Sequence, residues 1–252
     1  MKPYAYLAAA VFLPLFPLSM VFNRLFARLD NPWWRVALLL VWPQLGLLAL
    51  SALDERPPAW IVYWAVLTAG LYAFRTLTLR DLALWTAHMA TSAWSLLWLL
   101  AMVTREDTIL ALQAVGLSIP FMLLAWMVSR LESVYGAAYA GAYGGLAQAM
   151  PRLSSLLVIT ILAAVGTPLS PAFSTLLALV TQSLSVVPGA AVIVLAVWFL
   201  WAWAGARMTG GMVVGPVSGA PRPDLTAIAV VPAASILLLL ALAGAASLKY
   251  LL

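Results

Sequence analysis

Apolar residues run along this chain in stretches of about twenty, and short clusters between them hold most of the charge. About 20 helical residues, rising 1.5 Å each, cover the roughly 30 Å hydrocarbon core of a bilayer. Eight such stretches are predicted as membrane spans: 5–22, 36–53, 59–76, 82–103, 108–128, 153–181, 189–206 and 225–247. The sixth is long enough for two half-helices. Only the connections 129–152 and 207–224 are long, and neither has room for a soluble domain. The fold class expected is all-α integral membrane, a single transmembrane domain over 1–252.

The sixth span carries its own interruption. The stretch "YGGLAQAMPRLSSLLVITILAAVGTPLSPAF" opens as a polar loop, becomes an apolar helix, and then meets Gly166, Pro168 and Pro171. A proline inside a helix costs about 3 kcal/mol through a lost hydrogen bond and a ring clash. Backbone groups freed by such a break are tolerated in hydrocarbon only where protein or water satisfies them. Broken helices at mid-membrane recur in ion transporters; a kink used for packing is the alternative.

Composition agrees with a membrane protein. The chain is 65% hydrophobic and 8% charged, against about 25% charged in soluble domains. It has no cysteine, which excludes disulfides and thiolate chemistry, and one histidine, His88. No metal site and no cofactor are expected. The net charge of +5 comes from basic residues scattered singly between apolar runs, a topology signal rather than a nucleic-acid surface. One set of connections holds Arg24, Arg28, Arg35, Arg75, Arg80, Arg130, Arg152, Arg207 and Arg222; the opposite set holds Lys2, Arg56, Arg105 and Lys249. The positive-inside rule then places both termini outside. The run after Lys2 reads as a retained first helix, because it is long and carries Pro14 and Pro17. Trp33, Trp34, Trp60, Trp201 and Trp203 are expected near span ends, as interfacial anchors.

Polar residues within the spans are few. His88, Thr91, Ser92 and Ser95 fall at i, i+3, i+4 and i+7, on one helix face. An ionisable residue inside a span is a functional-site candidate; a neutral imidazole bonded to a neighbouring helix is the competing reading. Gln44, beside Pro43, and Gln113 read as packing groups. Arg75 and Arg80 read as topology-setting charges. "GGMVVGPVSGAPRPD" is a flexible loop without the lysine of a phosphate loop. No catalytic triad, carboxylate pair or nucleotide motif is present, and the acidic residues are expected in loops. An independent enzyme is not expected.

From about Trp60 onward, three segments resemble the antiporter-like subunits of respiratory complex I, related to Mrp-type cation/proton antiporters. "GGLAQAMP" resembles that family's loop motif, through Gly144, Gly145, Leu146, Met150 and Pro151. "LLVITILAAVGTPLSPAFSTLLAL" resembles its broken helix, and "LTLRDLALWTAHMATSAW" more weakly resembles an earlier helix. The resemblance implies that 59–206 is one five-helix repeat, that 225–247 is a C-terminal helix, and that 1–53 adds two helices without a counterpart. No second such loop or broken helix is read in the sequence.

The resemblance also locates the family's proton carriers. Its lysine after the break falls on Thr175, following Phe173 and Ser174, and its titratable helix positions fall on Ala111, Val115 and Ile119. A polar path would then consist of His88, Thr91, Ser92, Ser95, Ser174 and Thr175, and would be degenerate. The implied function is an integral inner-membrane subunit of a proton- or cation-translocating complex. Its partners would be other membrane subunits and the lipid bilayer, with no nucleic acid. Two alternatives stand beside it: a subunit of a proton-gradient-driven inorganic-carbon accumulation complex with a soluble zinc-containing partner, and a non-transporting scaffold or assembly subunit.

Overall fold

The computed structural model describes residues 2–53, 56–104, 106–142, 145–216 and 223–248. Those residues form helices and turns: α1 (Lys2–Phe12), α2 (Met20–Arg28), α3 (Pro32–Ser51), α4 (Ala59–Thr76), α5 (Leu82–Ser95), α6 (Leu97–Val103), α7 (Asp107–Tyr135), α8 (Leu146–Ala149), α9 (Pro151–Ala164), α10 (Pro171–Ser183), α11 (Pro188–Val213) and α12 (Ala227–Leu248). Five segments are long and apolar enough to cross a membrane: α3, α5–α6 together, α7, α11 and α12. The other three predicted spans are α4 and two interrupted pairs, α1–α2 and α9–α10. The chain is a multi-pass membrane protein.

Helix starts follow local chemistry. Asn31 caps α3, its side chain accepting from the Trp33 N–H ahead of Pro32. Asp81 caps α5 by accepting from Ala83 and Leu84 N–H. Both side chains satisfy donors that the first helical turn leaves open. The start of α9 borrows a distant carboxylate, since Arg152 and Leu153 N–H donate to Asp224.

The centre of the bundle is α5–α6. Every described residue from Trp85 to Leu100 is buried. Helices α2, α4 and α7 pack around α5, while α10 reaches α6. α11 lies against α4, α9 and α10, and α12 covers α9 and α10. Large buried rings fill the interior, with Phe22 meeting Trp94 edge-on at 4.9 Å. Trp201 belongs to this core and not to an interfacial belt: it is fully buried, whereas Trp33, Trp34, Trp60 and Trp203 are exposed.

The expected break in the sixth span is present between Ala164 and Pro171. Gly166 sits there at φ +76°, where a side chain would meet Leu176 and the Trp198 indole. The first span differs from the expected single helix. Pro14 and Pro17 withdraw two N–H donors, and the chain unwinds from Leu13 to Ser19 before α2 begins. A second broken helix therefore exists where none was read. The two breaks share a sequence: "PLSMVFN" (17–23) opens α2 and "PLSPAFS" (168–174) opens α10.

Two helices also run past their expected ends. α7 continues to Tyr135 and so carries Arg130 and Glu132, which places an acidic group on a helix rather than in a loop. Its last turns are held by the mostly buried Arg35, which sits 3.2 Å from Glu132 and donates to the Leu29 carbonyl at 2.6 Å. α11 likewise continues through Arg207 to Val213.

The first break is held by donors from other helices. The Trp98 indole donates to the Leu13 carbonyl (2.9 Å), Ser95 to Pro14 (2.7 Å) and Trp64 to Phe16 (2.9 Å). Trp42 donates to Val11 at 3.3 Å, and Phe16 N–H donates to Thr68 at 3.2 Å. An unpaired buried carbonyl costs about 1–3 kcal/mol. Trp98→Phe, which keeps the ring and removes the donor, should lower stability by about that amount, read by chemical denaturation in mild detergent; an unchanged midpoint would contradict the assignment.

Candidate functional site

The polar face of α5 is buried, and it points at the first break. Thr91 donates to Asn23 Oδ1 (3.3 Å) and to the Ala87 carbonyl (2.8 Å). Asn23 in turn donates to the Ser19 carbonyl at 3.1 Å. Ser95 donates to the carbonyls of Pro14 and Thr91. Ser92 donates to the Ala69 carbonyl on α4 (2.7 Å) and accepts from the Trp201 indole on α11 (2.9 Å). These hydroxyls join four elements by bonds that each end in protein.

His88 stands at one end of this face, mostly buried. Its Nδ1 lies 2.9 Å from the Leu84 carbonyl one turn earlier. A carbonyl only accepts, so Nδ1 carries a proton, and in the neutral ring Nε2 is the acceptor. The ring lies 5.2 Å from that of Tyr72, tilted by 57°. The Tyr72 hydroxyl meets Ser19 at 2.8 Å, and the Arg75 guanidinium sits 5.8 Å from the Tyr72 ring centre. Arg75, Tyr72, His88, Ser19, Asn23, Thr91 and Ser95 thus form one polar column beside the break.

The remaining candidates lie elsewhere. Ser174 and Thr175 on α10 each donate to the Pro171 carbonyl of their own helix, at 2.9 and 2.8 Å. Ser174 also accepts from Ser247 on α12 at 2.7 Å. No hydrogen bond among the described residues joins this pair to the α5 column. At the second break the Trp198 indole donates to the Gly166 carbonyl at 3.1 Å, and Ser170 caps α10. Pro168 and Leu169 of this turn are exposed, whereas Val165, Gly166 and Ser170 are buried.

The loop motif leads into α8 and α9. Gly145 takes φ +62° and opens the short helix α8, Leu146 and Met150 are fully buried, and Pro151 is the first residue of α9. Gly144 lies outside the described residues. Among the described residues no three His, Cys, Asp or Glu side chains gather as a metal group.

Sequence reasoning missed Ser19, Asn23, Thr68 and Tyr72. The available signal was the repeated "PLS" with Pro14 just before it. The two groups of hydroxyls should respond differently. Ser92→Ala removes a bond to each of two helices and should cost about 1–3 kcal/mol, whereas Thr175→Val removes a bond within one turn and should cost under about 1 kcal/mol. Paired denaturation curves check this, and equal losses would refute it.

The sequence matches no protein-family model and no curated protein. Its fold matches solved structures closely. A chain of respiratory complex I from Thermus thermophilus superposes with a TM-score of 0.83 at 21% identity, over 95% of this chain and 53% of that one. A chain of the Mrp complex from Dietzia sp. DQ12-45-1b gives 0.82 at 14%, over 96% and 55%. A chain of an archaeal membrane-bound sulfane sulfur reductase, a respiratory membrane complex, gives 0.79 at 20%, over 96% and 52%. The fold therefore resembles the antiporter-like membrane subunits, and the chain spans about half the length of the chains it matches. Coverage of 95% leaves about 13 of the 252 residues outside the match.

Proposed function

We propose that this chain is an integral subunit of a proton- or cation-translocating membrane complex, and that it braces a conducting partner rather than conducting itself. The reading rests on one observation beside the fold match. Among the described residues the buried ionisable side chains are His88, Arg35 and the phenol of Tyr72, and Arg35 is committed to Glu132 near the helix ends. Handing a proton across a membrane requires a series of titratable or hydrated stations. The α5 hydroxyls instead donate into backbone carbonyls and Asn23. On this reading the chain lies in the inner membrane, with Arg24, Arg75, Arg130, Arg152 and Arg207 on the cytoplasmic side and both termini outside.

The test has two parts. Purification of the tagged chain from its native membrane in mild detergent, followed by mass spectrometry, should recover other multi-pass subunits. In the recovered complex, His88→Ala combined with Thr175→Val should leave ion flux at the level of the unaltered complex, whereas deleting the chain should abolish it. Loss of flux with assembly intact would give this chain a conducting role. Recovery of the chain alone would end the subunit reading.

A further inference from the structure

The two breaks share a sequence but differ in one backbone bond. In the first, Met20 N–H donates to the Pro17 carbonyl at 3.0 Å and closes the turn. In the second, the residue at the equivalent place is Pro171, which has no N–H. No hydrogen bond reaches the Pro168 carbonyl among the described residues, and Leu169 N–H beside it is likewise unpaired. The first break has additional donors from Trp64, Ser95 and Trp98 on other helices; among the described residues the second has one such donor, the Trp198 indole at Gly166, beside the Thr167 and Ser170 hydroxyls, which donate to the Leu162 and Thr167 carbonyls of the same segment.

The open carbonyl belongs to an exposed residue, midway along the α9–α10 pair. α9 has 14 residues before the break and α10 has 13 after it, or about 21 Å and about 20 Å of helix on either side. Pro168 and Leu169 are exposed, Leu169 by 56% and with φ +73°. They continue an exposed apolar stripe on α9, formed by Ile159 and Leu162. α12 closes one side of the window: a Cβ on Gly244 would clash with the Leu169 carbonyl. Irregular backbone at this depth is not found facing lipid; it is covered by protein or lines water. The stripe beside it is apolar, which does not suit a water channel.

We propose that the Ile159–Leu162–Pro168–Leu169 face is the docking surface for a transmembrane helix of a partner subunit, one that brings a hydrogen-bond donor side chain to the Pro168 carbonyl at mid-depth. The proposal rests on the subunit reading above and adds where the partner sits and what it carries. Serine, threonine, asparagine, glutamine and lysine have the required donor; leucine and phenylalanine do not. The matched chains of known structure are about twice as long as this one, so those folds contain a further body of comparable size.

The chain has no native cysteine, so single-cysteine spin labels can be placed without other changes. Leu169→Cys and Ile159→Cys are labelled in the complex recovered from native membranes, with Leu239→Cys on the exposed face of α12 as the comparison. Collision rates are read with oxygen, which concentrates in lipid, and with a water-soluble nickel chelate. Both docking-face labels should show low rates with both reagents, with oxygen severalfold below the Leu239→Cys label, and the oxygen rate should rise when the chain is purified away from its partners. A photocrosslinker at position 169 should map to a transmembrane segment that carries one of the donor residues. High oxygen collision in the intact complex means a lipid-facing surface and overturns the docking face, as high nickel collision does by showing water. Either result leaves the subunit reading standing if other subunits co-purify. A chain recovered alone overturns both.

Discussion

A backbone carbonyl without a donor is among the costliest groups to leave in hydrocarbon, at several kcal/mol each. This chain breaks its helices twice, at Leu13–Ser19 and at Val165–Ser170. Donors from the rest of the bundle satisfy several of the resulting groups. The largest side chains of the interior are not only filling volume. Trp98, Trp64 and Trp42 each place an indole N–H on a carbonyl of the first break or its flank, and Trp198 does so at the second. A tryptophan is suited to this because it joins a large apolar surface to one donor.

That arrangement explains why α5 is both polar and the most enclosed helix. Its hydroxyls are short donors on a rigid rod, placed one helical turn apart, and a broken neighbour presents acceptors at matching heights. Burying Ser92 and Ser95 unpaired would be destabilising, but paired they tie α5 to α4, α11 and the first break, and Thr91 adds α2 through Asn23. The column ends at His88 and Tyr72, beside Arg75. The bracing role proposed above draws on the same physics. A hydroxyl that donates to a backbone carbonyl holds its proton in a bond with a group that has no proton to pass on.

Much of the architecture was legible in the sequence, for reasons that differ by element. The segments that became α3, α5–α6, α7, α11 and α12 could be read because length and apolarity alone set them. The break at Gly166–Pro171 was visible because a glycine and two prolines crowd one turn. The break at Leu13–Ser19 was not, since its residues are as apolar as those around them and two prolines also suit a kinked single helix. Spacing put His88, Thr91, Ser92 and Ser95 on one face, but what that face meets lies 23 to 109 residues away and leaves no local trace. α7 outran its expected end because Glu132 gains Arg35 as a partner, a tertiary event that charge in the sequence argued against. Trp201 was misplaced for a similar reason: an indole at an interface and one bonded to Ser92 look the same in one dimension.

The donors that hold the first break have a further consequence, for how the protein is made. They come from residues 48 to 85 positions later in the chain: Trp64 serves Phe16, and Trp98 serves Leu13. At roughly 5–20 residues per second, a ribosome needs about 4–17 s to supply the last of them. Until then the Leu13 and Phe16 carbonyls lack these donors, so the packed form of the first break is complete only once α4 and α6 are in place.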